Sequence, residues 1–130
     1  MSLSARIAAL AQRIGLEVRR KADVADPGLA RAWVSFGYLD NAMVTYRAFN
    51  VSEVQRLGAG RYRVWFSTPM PDADYCWIAL ARSNSNSGTQ RTAVVRATDD
   101  AKTPQYVDVS CAAGNGSSAD TTELNLVIWH

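Results

Sequence analysis

Tyr46-Arg47-Ala48-Phe49-Asn50-Val51-Ser52-Glu53-Val54-Gln55-Arg56-Leu57 leads into Gly58-Ala59-Gly60, then Arg61-Tyr62-Arg63-Val64-Trp65-Phe66-Ser67-Thr68, then Pro69-Met70-Pro71-Asp72-Ala73-Asp74, and closes on Tyr75-Cys76-Trp77-Ile78-Ala79-Leu80. Three β-prone apolar runs are separated by two clusters of turn residues. Tyr62, Val64 and Phe66 alternate with Arg61, Arg63 and Trp65, the period of two that a half-buried strand requires. Gly58-Ala59-Gly60 tolerates positive φ, so the chain can reverse there. Pro69 and Pro71 cannot donate to a ladder and end the strand. A hairpin and a third strand follow, and the rest of the chain builds on them.

Working outward, strands are expected at about 31–36, 43–49, 51–57, 61–67, 75–82, 91–98, 105–111 and 123–129. Short strands and turn signals at this spacing argue for an antiparallel β-sandwich, mainly β, with one N-terminal helix. Leu124 to Trp129 is apolar on both faces toward its end, as befits a central strand or one covered by a partner. Asn50 marks a break, because a single strand over 43–57 would exceed the usual length of about 3–10 residues. If consecutive strands alternate in direction, loops 37–42, 58–60, 83–90 and 112–122 share one end. The chain enters the first strand at the other.

Residues 1–22 form a helical segment, 23–30 a linker and 31–130 the sandwich. Ser2 or Ser4 can cap the helix. Leu3, Ile7, Leu10 and Ile14 step by four, three and four and lie on one stripe. Arg19, Arg20 and Lys21 suit the carbonyl end of the helix dipole, which accounts for this basic run without nucleic acid. The stripe needs a cover, either its own β domain or another copy's helix. The spacing favours self-association. Ile at a and Leu at d nominally favour two strands. Asp26-Pro27-Gly28 ends the helical stretch.

With 14 basic and 12 acidic side chains, the net charge of +2 gives no sign of a nucleic-acid or membrane partner. At 130 residues the chain can bury a core without disulfides. The weak apolar run from Ile7 to Ala11 is not a secretion signal, so a reducing cytoplasm is expected. The sequons at Asn50 and Asn115 then have no glycosylation role. Cys76 and Cys111 both read as buried strand thiols.

Chemistry has few candidates. His130 is the last residue and is expected to be frayed or solvated. No catalytic or metal-ligating set and no cofactor loop emerges. Asp72, Asp74, Asp99 and Asp100 resemble calcium or glycosidase carboxylates, but aspartates are also common turn formers, and that reading is preferred. Arg61, Arg63 and Trp65 mix cations with an aromatic, as single-strand binders do. An ordinary cation–π surface contact explains them as well. The polar loops, with Asn84, Asn86, Ser87, Thr89, Gln90, Asn115, Ser117 and Ser118, could bond sugar hydroxyls, or be plain solvated loops.

Arg31-Ala32-Trp33-Val34-Ser35-Phe36, Tyr46 to Ser52, the Gly58-x-Gly60-x-Tyr62-x-Val64-x-Phe66 hairpin and Met70-Pro71-Asp72-Ala73-Asp74-Tyr75 together resemble a β domain of tailed-bacteriophage fibre and tail proteins, over residues 31–82. Gly37 to Ala42 departs from that pattern, so the first loop should differ in shape. The resemblance implies a non-enzymatic virion protein made in the host bacterial cytoplasm: a fibre knob of three copies, joined to other tail or head proteins and presenting loops to a bacterial surface glycan. A non-viral carbohydrate-binding or adhesin module is the alternative, and a cell-wall glycan hydrolase a third. No tryptophan falls in a polar loop, which counts against a sugar platform.

Overall fold

The computed structural model describes residues 2–20, 26–83, 90–96 and 98–130. Helix α1 spans Leu3–Arg20, and the strands are β1 (Ala30–Leu39), β2 (Ala42–Phe49), β3 (Val51–Gly58), β4 (Arg61–Phe66), β5 (Cys76–Arg82), β6 (Arg91–Val94), β7 (Tyr106–Ala113) and β8 (Glu123–Trp129). Two four-stranded antiparallel sheets result: sheet A in the order β2-β1-β8-β5, and sheet B in the order β3-β4-β7-β6. The fold is a β-sandwich with one N-terminal helix. β8 is central in sheet A, as its double-sided apolarity suggests.

Alternation builds the core. Ala32, Val34 and Phe36 of β1, Tyr62, Val64 and Phe66 of β4, Val107, Val109 and Cys111 of β7, and Leu124, Leu126 and Ile128 of β8 all point inward and are buried. Phe36 meets Tyr62 edge to face at 5.1 Å, and Phe66 meets Tyr75 at 5.8 Å.

Asn50 carries the chain from sheet A to sheet B. Its φ is 54°, a left-handed conformation that asparagine adopts more readily than most residues. Its amide donates to the Arg31 and Thr68 carbonyls at 3.1 Å each and accepts the Thr68 N–H at 2.7 Å. The break expected there is therefore a bonded corner.

Three boundaries move. The expected loop 37–42 shrinks to a two-residue hairpin, because Asp40 and Asn41 both take positive φ (50° and 61°), the geometry of a tight type I′ turn. Gly37 stays in β1, and a Cβ there would collide with the Thr122 carbonyl. β6 ends at Val94 instead of running to residue 98.

Candidate functional site

The registers sort the connections into two ends. Asp40-Asn41, Ala59-Gly60 and the β7–β8 connection gather at one end, which we call the tip. The start of β1 pairs with Trp129 at the other, the base, along with the Asn50 corner and the 67–75 and 95–105 connections.

At the tip, Asp120 ties the loops together. Its carboxylate accepts a two-pronged bond from Arg56 (3.1 and 2.8 Å), the Gly60 N–H at 3.0 Å and the Tyr62 hydroxyl at 2.8 Å. Partial burial pushes this carboxyl upward, but the Arg56, Gly60 and Tyr62 donors outweigh it and hold its pKa below the ordinary range. The Tyr62 hydroxyl is driven well above its usual value, by burial first and by the Asp120 bond second. Gly60 must be glycine: its φ is 67°, and a Cβ would stand 2.5 Å from the Cys111 carbonyl oxygen. Arg56 also lies over the Tyr38 ring at 4.4 Å. No local pattern announces this role, since Asp120 sits in a stretch that reads as a solvated loop.

Of the polar loop residues, Asn84, Asn86, Ser87 and Thr89 lie outside the described residues. Asn115, Ser117 and Ser118 are exposed on a small hairpin in which Asn115 Oδ1 accepts the Ser117 N–H at 3.0 Å and Ser118 pairs with Ala112. Gln90 is exposed beside it, with its Cβ 3.9 Å from where a Cβ on Gly114 would stand. The rest of the 112–122 stretch is not a free loop: Thr121 is buried, donates to the Arg82 carbonyl and closes the end of the sandwich. A shallow groove of about 350 Å³ lies beside it, lined by Tyr38, Asp40, Ser83, Asp120 and Thr122.

The base answers the questions about aspartates. Asp72 accepts the Asp74 N–H at 2.8 Å, the expected turn. His130 is not frayed: its Nε2 lies 2.8 Å from Asp72 Oδ1. The Asp74 N–H, and then His130, lower the Asp72 pKa. Asp100 accepts the Arg96 N–H at 2.7 Å and the Ser110 hydroxyl at 2.9 Å. Among the described residues no group of three or more His, Cys, Asp or Glu side chains is placed to hold a metal. No described helix is long and apolar enough to cross a membrane.

Helix α1 starts as expected, with Ser2 Oγ accepting the Ala5 N–H at 3.2 Å. Leu3, Ile7, Leu10 and Ile14 are 73%, 59%, 57% and 54% exposed, so the chain's own sandwich does not cover the stripe. Cys111 is buried as expected, with its thiol pKa raised by burial, but Cys76 is exposed. It lies on the outer face of sheet A, because β5 turns Trp77, Ala79 and Ala81 toward the core and Cys76, Ile78, Leu80 and Arg82 outward.

That outer face is apolar. One register row crosses all four strands: Phe49 beside Trp33, Trp33 beside Val127, Val127 beside Ile78. Trp33 and Phe49 stack with centroids 6.4 Å apart. Tyr46 stands at a bulge next to this row and donates to the Thr122 carbonyl at 2.7 Å. Comparisons with protein-family models, curated proteins and solved structures find no match.

Proposed function

We propose that the chain is a small virion structural protein of a tailed bacteriophage or prophage: an oligomeric tail or fibre knob, not an enzyme. The helices gather as a stem, three copies by the resemblance, and join other tail or head proteins. The tip loops contact a host-surface glycan. One observation carries this reading. The uncovered heptad stripe of α1 leads into β1 at the base, while the exposed polar residues Gln90, Asn115, Ser117 and Ser118 lie at the tip. Weak single contacts would gain through effective concentration when several tips engage one surface. The carboxylates support a non-catalytic role, since Asp72, Asp100 and Asp120 are each engaged in holding turns or ion pairs.

Truncation to residue 26 tests the stem: the full chain is expected to sediment as three copies and the shortened chain with a lower mass. Asn115→Ala with Ser117→Ala tests the tip. Binding to bacterial surface polysaccharide should weaken while the melting temperature holds. Unchanged binding would remove the loops from the contact.

A second reading, a carbohydrate-binding or adhesin module outside a virion, is favoured by the Trp33–Phe49 pair and Tyr46 beside a groove of about 360 Å³ on sheet A. It predicts that Trp33→Ala abolishes sugar binding.

A further inference from the structure

We propose that the outer face of sheet A is a contact surface between copies of this chain, with the β2-edge half of one copy meeting the β5-edge half of the next. This rests on the oligomeric reading above, but not on the helix seam.

The chemistry of the face decides its occupant. Its β2-edge half carries Phe49, Trp33 and Tyr46, and its β5-edge half carries Val127, Ile78 and Leu80. A sugar could stack on the first half. In the second it would find Asn125, beside Leu80, and the Arg82–Glu123 pair at the tip-side rim, whose charges already face each other and Asn125, with apolar Ile78, Leu80 and Val127 between. Ile78 and Leu80 want an apolar neighbour. The chain's own helix does not supply one, because its stripe is itself exposed.

The area is sufficient. Phe49, Tyr46, Ile78 and Leu80, at 52%, 46%, 56% and 72% exposure, offer on the order of 400–500 Å² of surface. The half-buried Trp33, Val127 and Trp129 raise this to roughly 600 Å² per copy, so a two-fold pair removes about 1,200 Å², past the ~1,000 Å² that marks a specific interface, and a closed trimer about 1,800 Å² shared over three contacts. Arg47 and the Arg82–Glu123 pair give the face a polar rim.

The geometry also closes. A two-fold axis along the strands lays flat rings over branched side chains. Three faces around an axis bring the same halves together at each corner.

Charge exchange in the full-length chain tests this, read by sedimentation equilibrium. Phe49→Lys and Ile78→Glu each alter an exposed residue, so the sandwich should keep its circular dichroism and melting temperature. Each alone is expected to weaken association by about tenfold or more, because the new charge is buried without a partner. Combined in one chain, the two charges face each other and association recovers in part. In parallel, Cys76 on this face should react with a maleimide when dilute and be protected when associated. Single variants that assemble like the parent, or a Cys76 that stays reactive in the assembly, would overturn the proposal. If only Ile7→Asp and Ile14→Asp dissociate the chain, the stem reading survives and this one fails. A parent chain that is monomeric throughout removes both.

Discussion

The two sheets of this sandwich bury matching inner faces, yet their outer faces differ in kind. Sheet B is finished in solvent. Arg63 forks onto Asp108 at 2.7 and 3.0 Å and lies over the Tyr106 ring at 3.9 Å. Asp108 also takes the Ala101 N–H, and Asp100 takes the Ser110 hydroxyl, so the β6–β7 connection lies against the sheet. Sheet A offers Phe49, Ile78 and Leu80 to water instead. A sandwich that needed only to fold could have finished both faces the first way. The difference teaches that one layer's outer face is held by its own ion pairs, while the other keeps exposed apolar side chains, which the proposed contact between copies would cover.

Breaking the finished face should cost folding energy and leave association alone. Arg63→Met leaves Asp108, 1% exposed, with the Ala101 N–H as its remaining described donor. A loss of about 3–5 kcal/mol is expected in urea unfolding, because a buried carboxylate loses its countercharge. A loss below about 1 kcal/mol would show the pair to be surface ornament.

Next in size is the tip. Asp120→Ala removes the acceptor of bonds from Arg56, Gly60 and Tyr62, and about 2–4 kcal/mol should go. The pH dependence follows in sign. Asp120, Asp100 and Glu123 have lowered pKa values in the fold, so their contributions are present above the ordinary carboxylate range and are lost as pH falls through the lowered values. Thermal melts should drop on acidification below about pH 4, and Asp120→Asn should flatten that drop. A parallel drop in both proteins would remove Asp120 from the account.

The smallest effect on folding belongs to sheet A. Leu80→Lys should change the stability of the dissociated chain by no more than about 0.5 kcal/mol, since Leu80 is 72% exposed. A large loss would mean that Leu80 packs into its own domain.

Much of the sandwich was legible from alternation. Tyr62-x-Val64-x-Phe66 and Leu124-x-Leu126-x-Ile128 announce their inner faces, and the strand limits fall within a residue or two of the expected ones except in β1 and β6. The parity of the connections also holds, so the tip and base ends were readable. Three things were not. The Asp40-Asn41 hairpin was hidden because two non-glycine residues adopt positive φ in succession. β5 misleads by size: small Ala79 and Ala81 point in, while Ile78 and Leu80 point out, so Cys76 was placed on the wrong side. The row from Phe49 to Ile78 exists only through register between strands far apart in sequence, and no local pattern encodes it. At the tip, Asp120 looked like loop polarity because its partners, Arg56, Gly60 and Tyr62, lie about sixty residues away.

The most direct test of an unfinished face is sedimentation equilibrium of the full chain over a wide concentration range, with Cys76 maleimide labelling at each point. A mass of three chains at high concentration, with Cys76 protected there and reactive on dilution, is the predicted result. A single-chain mass at the highest concentration, with Cys76 reactive throughout, would contradict it.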